Sequence, residues 1–378
     1  MSPVRSSART AAVAGCAVVA LVLPATASAR KVTGTGRDDV LAGTQRPDRI
    51  NAREGDDVVR AQGGADLVHL GPGADRAWLG RGDDQAKGGP GNDRISGEGG
   101  NDVLGGASGH DLLLGGPGAD RVMGGVGDDV VLGGPGDEPE VRGLRGDDLV
   151  YGGPGNDLIT GDPGDDRLDG GPDLDLVIGG DGDDVATGGP GNDHVTGGPG
   201  NDIVLGGDGR DQLDGDKGDD FIDAGPGDDS CPDFHGGPRE YNECSGFPAT
   251  NGDSINITGD EGRDIIYPGD GIDVAFGEEE ADLIVAVPDG SIDRLFCTDS
   301  GIPLDPGDLV VYVGQRDPLD DIRNCGPRWH EDRQVLVLSA AEFQARYPAL
   351  PLPVTSYVAP PVPTTARTGF PRTTLLEW

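Results

Sequence analysis

Gly115-Gly116-Pro117-Gly118-Ala119-Asp120-Arg121-Val122-Met123 is followed directly by Gly124-Gly125-Val126-Gly127-Asp128-Asp129-Val130-Val131-Leu132, the same nine-residue phrase written twice. After one imperfect copy it resumes as GLRGDDLVY from Gly143, GGPGNDLIT from Gly152 and GDPGDDRLD from Gly161. The template is G-G-x-G-x-D-x-U-x, with U an aliphatic residue. A period of this length, sustained over many copies, reads as a repeat architecture before any single element is considered.

Working outward, the phase begins in degenerate form at Gly34-Thr35-Gly36-Arg37-Asp38-Asp39-Val40. The next copy keeps Gly43, Asp48 and Ile50 but lacks the other glycines. From Gly55 the register holds without a break to Gly133, with Asp57, Asp66, Asp75, Asp84, Asp93, Asp102, Asp111, Asp120 and Asp129 at the sixth position. Glu138 then stands where aspartate is expected, and one residue is inserted before Val141. The sixth position continues as Asp148, Asp157, Asp166, Asp175, Asp184, Asp193, Asp202, Asp211, Asp220 and Asp229. The eighth is as regular, from Val59 and Val68 through Ile95, Leu104 and Leu113 to Val204, Leu213 and Ile222.

Only x-U-x is left for a strand, because glycine and proline fill the rest of each copy. One apolar residue between two polar ones fits a very short strand with its middle side chain inward. The glycines fit turns that need positive φ and close backbone approach, and proline fits a turn where a lost N–H costs little. Two nonapeptides make one coil, with a strand on each face and a turn at each edge. Like positions then recur one coil apart, so Asp57, Asp75, Asp93, Asp111 and Asp129 stack along one edge and Asp66, Asp84, Asp102 and Asp120 along the other. At the strand spacing of about 4.8 Å, unit charges repel by about 1 kcal/mol in water and by several at an effective dielectric of about 20. A hard divalent cation between successive carboxylates reverses that sign, and aspartate oxygens with turn carbonyls supply the six or more oxygen ligands calcium prefers.

At these residues the array resembles the RTX (hemolysin-type) calcium-binding β-roll, over roughly residues 33 to 232. The resemblance implies an all-β, right-handed parallel β-roll solenoid, with several calcium ions held between coils by the sixth-position aspartates and the carbonyls of the glycine turns. It implies metal ligands at the sixth-position aspartates named above other than Asp175, whose copy has Asp173 in place of the fourth glycine. The departures at Glu138, at the Asp48 copy and at the Asp173 copy leave metal sites there open. A flexible linker would not place an aliphatic every ninth residue, collagen needs glycine every third, and no GK[ST] follows a glycine loop as phosphate binding would require. An EF-hand would need a bidentate Glu at loop position 12 and flanking helices.

The totals agree with a metal-dependent chain. Of 378 residues 69 are glycine and only 4% aromatic, so an ordinary core is poorly supplied. Arg5 and Arg9, the apolar run Ala11–Leu23 and Ala27-Ser28-Ala29 form the pattern of a cleaved export signal over residues 1–29. Val13-Ala14-Gly15-Cys16 is similar to a lipoprotein box, but most of the apolar run follows Cys16 instead of preceding it. Removing this segment takes the formal net charge from −39 to −41, since it carries Arg5 and Arg9 and no acid. So acidic a chain is not expected to bind nucleic acid, whose affinity rests on neutralised phosphates, and no other stretch is apolar enough to span a membrane.

Past the signal remain Cys231, Cys244, Cys297 and Cys325, an even number that in an exported chain suggests disulfides. Sequence neighbours favour Cys231–Cys244 and Cys297–Cys325; the rival, a zinc site of all four thiolates, has no CxxC pair. Residues 232–254 read as a disulfide-pinned linker. A second, looser array over 255–326 carries Asp264/Ile266, Asp273/Ala275 and Asp282/Ile284, and reads as a degenerate closing cap with calcium at Asp264 and Asp273. In residues 327–378, a strand ends near Leu338, Ser339-Ala340-Ala341-Glu342 is a capping box opening a short helix to about Tyr347, and a Pro/Thr-rich tail follows. Leu352-Pro353-Val354-Thr355 is similar to a sortase signal, but Ser356 replaces glycine and no apolar span follows.

No catalytic constellation stands out. The histidines share no spacing, and His330-Glu331 lacks the second histidine of HExxH because Gln334 occupies its place. The expectation is a secreted, non-enzymatic protein that folds as it binds several calcium ions outside the cell, with a structural, adhesive or calcium-sequestering role. An extracellular hydrolase or polysaccharide-modifying factor that uses the roll as a scaffold is the alternative. An extracellular protein or glycan partner is not specified by the sequence.

Overall fold

The computed structural model describes residues 29–227, 229, 257–259, 262, 264–269, 274–277, 282–286, 294–296, 309–313, 321–323 and 335–348. Among the described residues, strands alternate between two parallel sheets of 15 strands each. One sheet starts at Arg30–Thr33 and Asp48–Asn51, the other at Val40–Thr44 and Val58–Gln62, and every strand pairs with the strand after next in sequence. The chain is thus a parallel β-solenoid in which one coil takes two nonapeptides. Leu104 lies beside Val122 in one sheet and Leu113 beside Val131 in the other, each pair eighteen residues apart.

Many strands are only three residues long, such as Leu158–Thr160, whose middle residue alone is buried. The eighth-position aliphatics from Val59 to Ile222 form one continuous core column between the sheets. The glycine turns stack as the strands do. Gly73 N donates to Pro90 O at 3.0 Å and Gly118 N to Pro135 O at 3.0 Å. The third residue of each turn contributes its carbonyl to this stacking, which is why proline is accepted there. Where glycine is missing at the second position, Arg53 and Leu144 still adopt φ of 87° and 85°.

The irregularity at Glu138 is absorbed locally. Val122 pairs with Val141, nineteen residues on, and the Arg142 guanidinium grips Asp162 at 2.8 and 2.7 Å beside the widened coil. Both sheets also run on past residue 256, since Leu213 pairs with Ile257 and Ile222 with Ile266. Forty-four residues, in place of eighteen, separate the positions paired across this splice. At the far end the helix Ala340–Arg346 has the expected capping box between Ser339 and Glu342. Its Phe343 packs with Tyr267, Val285 and Val311 on the outer side of the second sheet.

Candidate metal centre

Each sixth-position aspartate sits just before its strand, where the turn hands the chain to the sheet. Its side chain points inward, and from Asp39 to Asp220 its main-chain N–H donates to the carboxylate one coil on, except at Asp120, whose neighbour in the next coil is Glu138. Asp57 N donates to Asp75 Oδ1 at 2.6 Å, Asp93 N to Asp111 Oδ1 at 2.7 Å and Asp193 N to Asp211 Oδ1 at 2.9 Å. The bond repeats coil after coil along both edges, with the Asp120–Glu138 step as its one gap between Asp39 and Asp220. It crosses the insertion from Asp129 to Asp148 at 2.7 Å, and the long splice from Asp220 to Asp264 at 2.9 Å.

One carboxylate oxygen is therefore consumed by the coil-to-coil bond, and the other is not. From Asp57 to Asp220, and again at Asp264, the sixth-position aspartates bury Oδ2 without a hydrogen-bond partner. An orphaned buried acceptor costs about 1–3 kcal/mol, more when charged. The first-position glycine opens room beside it. A Cβ built on Gly88 would collide with Asp93 Oδ2 and lie 2.6 Å from Gly106 O, so both oxygens converge on space that only glycine leaves empty.

Burial dominates the electrostatics, and carboxylates one coil away add to it. Asp93 is pushed up to about 8, with Asp111 and Asp75 contributing, and Asp129, Asp166 and Asp193 also reach about 8. Asp102, Asp148, Asp184 and Asp220 rise to about 7, the amide on Oδ1 holding each back. Among the described residues no three His, Cys, Asp or Glu side chains gather at one point. A cation here would be held by single carboxylates and main-chain carbonyls, a hard all-oxygen set that suits calcium.

Of the aspartates expected as ligands, Asp57, Asp66, Asp75, Asp84, Asp93, Asp102, Asp111, Asp120, Asp129, Asp148, Asp157, Asp166, Asp184, Asp193, Asp202, Asp211, Asp220, Asp229 and Asp264 all lie in the two buried rows. Asp273 and the four cysteines fall outside the described residues. The rows also take in Asp48, Asp175, Asp282 and Glu138. Asp173 supplies the turn's positive φ, 88°, in place of glycine, which leaves Asp175 in line. Glu138 keeps its place in the row with both carboxylate oxygens buried and unpartnered, while its amide donates to Asp157 Oδ1 at 2.8 Å. Burial, with Asp157 alongside, raises its carboxyl.

One further row was not anticipated. The fifth-position residue, Asp or Asn in most copies, accepts from the main chain of the following coil, in the opposite sense to the sixth. Asn101 N donates to Asp83 Oδ1 and Ala119 N to Asn101 Oδ1, both at 3.0 Å, and Asn156 N to Asp137 Oδ1 at 3.0 Å. The recurring Asp/Asn immediately before the sixth residue is the sequence signal for it. The exposed row needs only a short amide or carboxylate oxygen, so asparagine serves there; the buried row is aspartate in every copy but that of Glu138.

A groove of about 490 Å³ on the outer side of the first sheet is lined by Val103, Met123, Val126 and Leu144 with Lys87 and Arg145. It brings no carboxylate or nucleophile together. The family model for the RTX calcium-binding nonapeptide repeat matches residues 33–68, 69–104, 78–113, 105–137, 142–177, 169–204, 178–213, 196–231 and 256–285, more than half of the chain. No curated protein matches closely enough to be named as a relative.

Proposed function

We propose that this chain, which belongs to the RTX calcium-binding nonapeptide-repeat family, is a secreted protein that folds by binding a row of calcium ions along each edge of its solenoid. RTX repeats bind calcium; the reading adds where and to what end. The observation that carries it is the succession of buried aspartates whose Oδ2 has no hydrogen-bond partner, running from Asp57 to Asp220 and interrupted only by Glu138. Such a stack is poorly tolerated as bare carboxylates, and interleaved divalent cations convert it from repulsive to cohesive. The donor set fits calcium better than magnesium, which demands near-ideal octahedral geometry and gives up its waters reluctantly.

Metal binding and folding are then one event, which suits export: the chain stays unfolded where calcium is scarce and closes where it is plentiful. The regular, acidic, elongated product suits a structural, adhesive or calcium-storing role outside the cell. The Cys231–Cys244 and Cys297–Cys325 pairings would fasten the spliced stretch and the terminal coils. The direct test is far-UV circular dichroism of the chain from Arg30 onward in chelator, titrated with calcium and separately with magnesium. A cooperative gain of β-structure with calcium alone is expected; a fully folded spectrum in chelator would remove the mechanism.

A further inference from the structure

Residues 30–87 handle their inward carboxylates differently from the coils that follow. In the first copy Thr35 donates both its main-chain N–H and its hydroxyl to Asp39 Oδ2, the hydroxyl at 2.9 Å. In the second, Thr44 N and Oγ1 donate to Asp48 Oδ2 at 2.6 and 3.0 Å. This is the oxygen that has no partner in the later copies. The next four copies carry Ala52, Ala61, Leu70 and Leu79 at the first position in place of glycine, all with no exposed surface and all part of the core. From Gly88 onward glycine takes over. A Cβ on Gly88, Gly97 or Gly106 would collide with Oδ2 of Asp93, Asp102 or Asp111, so the four side chains fill what the later copies leave open beside the carboxylate. Ala224 repeats the substitution in the copy of Asp229.

Charge divides at the same place. Residues 30–87 hold ten Lys and Arg against ten Asp and Glu, whereas residues 88–231 hold seven against 33. The first block is formally neutral, whereas the second carries a net −26, from 7 − 33. Its extra row of buried aliphatics also gives the first block about twice the apolar side chains per copy, and each fully buried leucine contributes about 1.5–3 kcal/mol.

We propose that residues 30–87 form a metal-independent block that folds without calcium, and that the metal-holding coils begin at Asp93 and assemble on its open end. The inference rests on the calcium reading only for the coils after residue 87. Thr35 and Thr44 take the place of the cation in the first two copies, and alanine or leucine excludes it in the next four. Asp57, Asp66, Asp75 and Asp84 are then structural acceptors for the coil-to-coil amide bond. A preformed edge matters in a solenoid, where each repeat touches only its neighbours and growth proceeds from an existing end.

Hydrogen exchange read by mass spectrometry on the chain from Arg30, in chelator and in calcium, tests this. In chelator, amides within 48–87 are expected to exchange at least about 100-fold more slowly than those within 93–220, and calcium should bring the second group to comparable protection. Equal exchange of the two groups in chelator, whether both fast or both slow, overturns the proposal. If 48–87 is protected in chelator but calcium leaves 93–220 unprotected, the block stands and the calcium reading fails. The double variant Leu70→Gly/Leu79→Gly supplies the second arm. It should lose the chelator-state protection of 66–87 and regain it in calcium, which a merely misfolded variant would not do. Unchanged protection in chelator would show that the filled position is not what frees the block from metal.

Discussion

The main-chain N–H of Asp93 donates to Oδ1 of Asp111, 2.7 Å away and one coil further along the solenoid. From Asp93 onward the inward aspartates thus face two ways. One oxygen fixes the spacing of consecutive coils, and the other is delivered, buried and unpaired, to the space beside a glycine. Cohesion between coils and metal binding are two uses of one side chain, so neither can be removed alone.

Asp111→Ala strips the buried Asp93 amide of its acceptor, at a cost of about 1–3 kcal/mol, and deletes an oxygen from the metal row. The calcium midpoint followed by circular dichroism should rise at least several-fold. Asp128→Ala removes an exposed acceptor, 3.2 Å from Asp147 N, and an exposed contact with His110 at 3.9 Å, and should stay within about 0.5 kcal/mol. Equal midpoints for the two variants would contradict the division of labour between the fifth and sixth positions.

The carboxyl pKa values set a pH dependence with a definite sign. In the metal-free fold Asp93, Asp129 and Asp193 hold protons up to about 8, whereas an unfolded aspartate titrates near about 3.9. A raised folded-state value means stabilisation that is complete below the unfolded pKa and is lost as pH rises through the folded one. In chelator, β-structure should therefore increase as pH falls from 8 to 5.5. Over the same interval the calcium midpoint should move to higher concentration, because the ion must displace those protons. Circular dichroism at both pH values checks both statements, and a midpoint indifferent to pH would refute the second.

Two glycines fourteen positions apart, Gly91 and Gly105, should differ sharply. Gly91 has φ of 137°, and a Cβ there would run into Gly73 O of the preceding coil. Gly105 lies on the outer side of its strand with nothing within 4 Å of such a carbon. Gly91→Ala should destabilise the calcium-loaded protein by more than about 1 kcal/mol, while Gly105→Ala should be neutral or slightly stabilising. Thermal denaturation in excess calcium distinguishes them.

Period and chemistry were both visible in the sequence wherever one residue did one thing. Val122 and Val131 announced the core, and Asp120 and Asp129 the carboxylate rows, because nine-residue spacing maps directly onto coil geometry. What escaped depended on contacts between coils. Ala52, Ala61, Leu70 and Leu79 stand where the template has its first glycine, yet they extend the core, since only the fold shows that the first position faces inward. Thr35 and Thr44 bond to Asp39 and Asp48 through turn geometry that the spacing does not reveal. Glu138 and Asp173 broke the template without breaking the rows, Glu138 and Asp175 both staying in line, because the main chain around them absorbs the change. Asp264 and Asp282 continue the original stack across a long splice, a pairing that spacing along the chain does not reveal.

The helix Ala340–Arg346 offers the last test, because it lies outside the repeat logic. Seven residues are too few to hold a helix in water unaided, so its stability must come from the surface it covers. Phe343 has no exposed area and sits among Tyr267, Val285 and Val311, with Tyr347 5.2 Å from it ring to ring. Truncating a buried phenylalanine costs about 3–5 kcal/mol, more than so short a helix can spare. Phe343→Ala should release residues 340–346 to rapid hydrogen exchange, and Ser339→Ala, which loses the cap worth about 1 kcal/mol, should loosen them only in part. In a solenoid the damage should stop at the last coils, leaving the protection of 93–220 in calcium unchanged. If that protection fell as well, the helix would be acting on the whole stack, and the coils could not be coupled through neighbours alone.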